Sequence, residues 1–161
     1  MLLLRAVTLL TLLFCSLPVK AEAWRRFVHP TLGFSVAVPA GVFEVVENRD
    51  GRLQFSEAGG DAQLEIFGTK NPEALSPAEF RAMITKADPS RRITYRNGGR
   101  SWFVLSGFLE GEAKPTIFYT KFMLSRDGRS VSAFELSYPA DERARFDDMV
   151  VGIEDSLTAP R

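Results

Sequence analysis

The sequence predicts an α+β domain in which an antiparallel sheet of about seven or eight strands packs with two helices. Three observations predict it. Short apolar runs alternate at period two between turn residues; two further segments carry apolar residues at helical spacing; and no linker, repeat or low-complexity tract interrupts the chain after its first 23 residues.

Those first residues read as an export signal. Met1 to Arg5 form a short basic start, Ala6 to Leu17 an apolar run of about a dozen residues, and Ala21-Glu22-Ala23 an Ala-x-Ala cleavage site. A membrane span needs about 20 apolar residues, and Pro18 and Lys20 stop this run short of that. Residues 1–23 are therefore expected to be a cleaved signal peptide, with the mature protein, residues 24–161, a single domain starting at about Trp24 and located in the periplasm.

The only cysteine, Cys15, lies in the apolar run, and Phe14 before it is too large for a lipoprotein signal. The mature chain then has no cysteine, which excludes disulfides, thiol catalysis and cysteine-ligated zinc. An exported domain without disulfides fits the bacterial periplasm better than animal secretion, and must stand on its core alone. Removal of 23 of the 161 residues leaves 138, enough for one such core. The precursor carries 20 basic and 20 acidic residues; losing Arg5, Lys20 and Glu22 leaves 18 and 19, a balance that calls for neither nucleic acid nor an anionic membrane.

The elements follow in order. A short strand at Arg26 to Val28 precedes one over 33–38, where Phe34, Val36 and Val38 alternate before Pro39. Phe43 to Glu47 and Arg52 to Ser56 flank Asp50-Gly51, a pair suited to the positive φ angles of a tight hairpin. Ala62, Leu64 and Ile66 give the next strand one apolar face. Ser76-Pro77-Ala78-Glu79 opens the first helix with a capping box and an early proline, and Phe80, Met83, Ile84 and Ala87 supply its stripe up to Asp88-Pro89.

Strands are then expected at Ile93 to Arg96, Ser101 to Ser106, Thr116 to Leu124 and Val131 to Tyr138. Trp102 and Val104 on one side, with Phe103 and Leu105 on the other, leave no polar face, so this strand is expected in the middle of the sheet with Trp102 buried against a helix stripe. A last helix over about Asp141 to Leu157 buries Phe146, Met149, Val150, Ile153 and Leu157 and leaves Asp147, Asp148, Glu154 and Asp155 on its exposed face.

The runs Ile93-Thr94-Tyr95, Trp102 to Gly107, Ile117 to Lys121, Tyr138-Pro139 and Ile153 to Leu157 resemble a group of small exported proteins of alphaproteobacteria with no assigned activity. The order of elements, and Gly33-Phe34-Ser35-Val36-Ala37-Val38-Pro39 in particular, is similar to the PsbP-like fold, an antiparallel sheet between helices. Members of that fold are accessory subunits and protein-binding modules, so the resemblance implies binding; it is an analogy between folds, and function lives in sites.

The residues nominate no catalytic group, cofactor or metal ligand. His29 is the only histidine, so two-histidine metal sites are impossible, and neither Ser35 nor Ser106 sits in a nucleophile elbow. Gly59-Gly60, Gly98-Gly99 and the Gly107 to Gly111 spacing match no phosphate loop, and Asp50-Gly51 and Asp127-Gly128 lack the ligand ladder of a calcium loop. Arg91, Arg92, Arg96 and Arg100 form the densest basic cluster; Arg92, Thr94 and Arg96 are expected to share one face, where a carboxylate or phosphate of an envelope polymer could bind. Guarding a sheet edge is the competing role for such arginines. Tyr119, with Ile117 and Lys121, forms a mixed face opposite Phe118 and Phe122. Arg92, Arg96 and Tyr119 are thus the candidate ligand contacts. The expected function is an accessory or binding protein of the periplasm whose partner is an envelope protein or an anionic glycan. The alternative, a small hydrolase cutting envelope polymer with a carboxylate pair, depends on a separation that only the fold can reveal.

Overall fold

The computed structural model describes residues 23–49 and 51–161. Residues 1–22, which hold all of the expected signal peptide but Ala23 and include Cys15 and Ala21, and Asp50 of the expected hairpin turn lie outside the described residues. No helix among those described is long and apolar enough to cross a membrane.

Among the described residues nine strands form two antiparallel sheets. β1 (Trp24–Val28) and β2 (Ser35–Pro39) make a separate hairpin, and β3 (Phe43–Arg49), β4 (Arg52–Glu57), β5 (Gln63–Lys70), β6 (Arg91–Gly98), β7 (Trp102–Leu109), β8 (Thr116–Leu124) and β9 (Ser130–Pro139) form a sheet in the order β3-β4-β5-β9-β8-β7-β6. The seven-stranded sheet agrees with the count read from sequence; the β1-β2 pair stands apart from it. Gly51 adopts φ +80°, the left-handed conformation expected of its place in the β3-β4 turn.

The two α-helices among the described residues cover opposite faces of the larger sheet. α1 (Pro77–Ala87) begins as its sequence dictates: Ser76 accepts from the Glu79 amide at 3.3 Å while Glu79 accepts from the Ser76 amide at 2.8 Å. Its Phe80 and Ile84 pack with Phe103, Leu105, Phe118 and Phe122. The expected stripe is narrower than its periodicity, because Met83 and Ala87 are exposed. α2 (Arg143–Ser156), entered through a 3-10 turn at Ala140–Glu142, lies with the β1-β2 hairpin on the other face. Phe146, Met149, Val150, Ile153 and Leu157 bury there against β2 and the inward residues of β4, β5 and β9.

The expectation of a central Trp102 strand is corrected. β9 is the middle strand, and its residues 130–134 are all buried, whereas β7 lies second from the edge and Trp102 is only half-buried at its start. The lack of a polar face in β7 reports that both its faces are covered; it carries no information on position across the sheet. Trp102 receives the Lys121 ammonium 5.4 Å from its ring centre.

α1 is too short to cover its whole face. Beyond it, arginines paired to glutamates lie over aromatic rings: Arg52 pairs with Glu65 over Phe67, and Arg91 pairs with Glu135 over Phe118. Glu135 also accepts from the Thr120 hydroxyl at 2.7 Å, and Asp88 accepts from Arg91 Nε at 2.6 Å. Burial works against the Arg91 charge, but the bonds to Glu135 and Asp88 outweigh it and raise its pKa.

Candidate binding cleft

α2 packs on β9 and β8, leaving a cleft of about 400 Å³ between the helix and the β6-β7-β8 side of the sheet. Ser106 and Phe108 of β7, Ile117 and Tyr119 of β8 and Tyr138 of β9 form its floor. Arg143, Asp147, Val150, Val151 and Glu154 form the helix wall, and Thr94 and Tyr95 the outer lip. Tyr95 and Val151 are both exposed, 49% and 55%, at the mouth.

A β-bulge shapes the lip. Ile93 pairs with Gly107 but Tyr95 with Ser106, so Thr94 is an extra residue on β6. The insertion reverses the alternation. Arg92 pairs with Phe108 on the cleft face, whereas Arg96 pairs with Leu105 on the α1 face. The expected common face of Arg92, Thr94 and Arg96 is therefore overturned: one inserted residue sends the two arginines to opposite sides of the sheet. Arg92 lies over the Phe108 ring at 4.6 Å and pairs with Glu110 at 3.5 Å, both side chains largely exposed. Arg96 is exposed and forms no ion pair among the described residues.

Tyr119 sits where its alternation with Ile117 and Lys121 puts it, on the face opposite Phe118 and Phe122. It is half-buried, stacked on Phe134 at 6.0 Å, and its hydroxyl donates to the Glu154 carboxylate. Burial first, then the bond and charge of Glu154, push its phenol far above the ordinary range. Lys121 Nζ reaches Glu154 Oε1 at 3.2 Å and the Glu154 carbonyl at 3.3 Å. Glu154, expected on the solvated side of α2, instead closes one end of the cleft.

At the other end Tyr138 is 3% exposed, its ring stacked on Phe146 at 4.8 Å. Its hydroxyl has no hydrogen-bond partner among the described residues, and it is not sealed from solvent. Burial, then the negative charge of Asp147, raises its pKa and keeps it a neutral donor. Asp147 in turn pairs with Arg143 at 3.5 Å. Sequence reasoning found Tyr119 but missed Tyr138, Tyr95, Asp147 and Glu154. The available signal was the spacing of Arg143, Asp147, Val150, Val151 and Glu154, which lie along one side of a helix.

The remaining nominees lie elsewhere. His29 is buried, its Nδ1 accepting the Thr31 and Leu32 amides at 3.2 and 3.1 Å, with Phe34 4.8 Å away. Ser35 bonds Arg26 and Thr158, and Ser106 bonds the Phe118 carbonyl, so neither serine meets the histidine. Ala23, the last residue of the expected cleavage site, accepts the Ala40 amide at 2.8 Å through its carbonyl.

No family model matches the chain, and no curated protein is similar to it in sequence. Solved structures are similar in fold. The cyanobacterial PsbP, CyanoP, of Synechocystis aligns with a TM-score of 0.62 at 12% identity, over 88% of this chain and 95% of that one. The fold is PsbP-like. The Ran-binding protein Mog1p of Saccharomyces cerevisiae follows at 0.61 and 6% identity, over 86% and 96% of the two chains. LpqN, involved in cell envelope biogenesis of Mycobacterium tuberculosis, aligns at 0.58 and 14% identity, over 86% and 91%. At these identities the PsbP-like likeness establishes architecture, and the cleft has to be read from its own residues.

Proposed function

We propose that this is an exported accessory protein of the bacterial envelope, located in the periplasm, that binds an envelope component through the α2 cleft and performs no chemistry. The observation that carries the reading is Tyr138, whose ring is buried and whose accessible hydroxyl, with no protein partner among the described residues, faces an open cleft. The ring is held in the core while the hydroxyl stays accessible from the cleft, so it is available to bond a ligand in place of water. The export signal and the resemblance to exported alphaproteobacterial proteins supply the compartment, and one neighbour of the same fold, LpqN, is involved in envelope biogenesis. Among the earlier candidates, Arg92 and Tyr119 belong to this face and Arg96 does not.

A hydrolytic reading is not favoured. The cleft's carboxylates, Asp147 and Glu154, stand seven residues apart on one helix, and Glu154 is already held by Lys121 and Tyr119. Glycoside cleavage needs a protonated acid and a second carboxylate, acting as base or nucleophile, about 5 to 9.5 Å apart, whereas seven residues of helix rise about 10.5 Å.

The test is cosedimentation of the purified mature protein with isolated envelope. Wild type should be retained without releasing soluble fragments, and Val151→Trp, which fills the mouth of the cleft, should be lost to the supernatant. Met83→Trp on the opposite face should behave as wild type. Release of soluble polymer fragments, or equal retention of Val151→Trp, would sink the proposal.

A further inference from the structure

Resting on the reading of the cleft as a binding site, we propose that it takes an uncharged sugar unit, one or two pyranose rings of a neutral envelope glycan, stacked on Tyr95 and hydrogen-bonded by Tyr138 and Asp147. Three properties of the cleft select this chemistry.

The first is charge. Arg143 is matched by Asp147, and Lys121 by Glu154. An anionic ligand would have to lie beside two carboxylates, and a cationic one beside Arg143 and Lys121; each meets repulsion that an uncharged ligand avoids. The anionic glycan expected from the Arg92 and Arg96 cluster loses its basis once the bulge separates those two residues.

The second is the mixture of surfaces. A pyranose ring has an apolar C–H face and a rim of hydroxyls that both donate and accept. Tyr95 offers an exposed aromatic face at the lip, Tyr138 an accessible phenol hydroxyl on a buried ring, and Asp147 an accessible carboxylate lining the same cleft. Aromatic face, donor and acceptor within one cleft complement the ring's apolar face, its oxygen lone pairs and its hydroxyl protons.

The third is size. About 400 Å³ falls in the range of small-ligand sites and has room for one or two pyranose rings.

The experiment titrates the purified mature protein by calorimetry and amide chemical shifts with cellobiose, maltose and N,N′-diacetylchitobiose, and with a glucuronate-containing disaccharide as the anionic comparison. At least one neutral disaccharide should bind, with shifts confined to the cleft. Tyr138→Phe keeps the ring stacked on Phe146 and removes only the hydroxyl; it should melt with wild type and bind about tenfold more weakly. Asp147→Asn should weaken binding similarly. The inference is overturned if none of the three neutral sugars binds, if Tyr138→Phe binds as tightly as wild type, or if the glucuronate sugar binds more tightly than the neutral ones. Envelope retention sensitive to Val151→Trp, combined with failure of every sugar, would reject the ligand class and leave the cleft as a site for another component.

Discussion

Replacing Phe134 with Ala tests where the core is centred. Phe134 lies on the middle strand, fully buried, between Ile66 and Lys121 in register and stacked on Tyr119. Removing a buried phenyl costs roughly 3 to 5 kcal/mol, the transfer loss plus the cavity left behind. Against a total of about 5 to 15 kcal/mol, that is a large share. With a urea slope of about 2 kcal/mol/M, the midpoint should fall by about 1.5 to 2.5 M. Trp102→Ala should cost about 2 kcal/mol, because the ring is half-buried on an outer strand and loses partial burial and one cation–π contact. Urea melts of both variants decide the matter. A midpoint shift for Trp102→Ala equal to or larger than that for Phe134→Ala would refute the placement of β9 at the centre.

Three further outcomes are expected. Ser76→Ala removes the capping box of α1 and should cost about 1 kcal/mol in the same melts, with no change in envelope retention. Burial lowers the pKa of His29 below its ordinary 6.5, so the native state favours the neutral ring that accepts two amides. Its contribution is complete above about pH 6.5 and is lost as pH falls below that value toward the folded pKa. Thermal melts from pH 7.5 to 5.5 should show a fall in wild type that His29→Gln lacks, and parallel curves would refute the assignment. Mass spectrometry of the protein from the periplasm should give a chain beginning near Trp24, and an intact Met1 chain in the membrane fraction would contradict export.

The sequence carried the elements well because most of them are fixed locally. The Ser76-Pro77-Ala78-Glu79 signal needs only four residues to form its capping box, and the alternation of Phe34, Val36 and Val38 needs only one covered face. Sheet order is different. β9 comes last among the strands in the chain yet sits between β5 and β8, and nothing within 130–139 specifies those neighbours except a run buried on both faces. The bulge at Thr94 was illegible for a related reason. It is one residue in a strand whose sequence reads as regular, and its effect, sending Arg96 to the α1 face, exists only relative to the pairing strand. Tyr119 could be placed on a face because β8 pairs without irregularity along its whole length.

The same bulge ties the fold to the proposed site. A helix packed on a twisted sheet stays in contact with only a few strands before the sheet turns away beneath it. α2 rests on β2, β9 and β8, and the β7-β6 side diverges, so a gap on that side follows from the width of the sheet. On the α1 face the corresponding uncovered area is closed by Arg52 with Glu65 and Arg91 with Glu135, laid over Phe67 and Phe118. On the α2 face the cleft stays open: Arg143 with Asp147 and Lys121 with Glu154 line it without filling it, Arg92 covers Phe108 at one edge, and Tyr138 presents a hydroxyl with no partner among the described residues. The bulge then brings Tyr95 to the lip, where regular alternation would have put it on the α1 face. A sheet that seals its other uncovered surface with ion pairs over aromatic rings, yet leaves a phenol hydroxyl accessible and an aromatic exposed here, has the local features of a binding cleft. Tyr95→Ala should strip the aromatic face from the lip without touching the register of β6, and weaken envelope retention while the domain still melts cooperatively. Unchanged retention by that variant would show that the lip, and with it the sugar-stacking role of Tyr95, is dispensable.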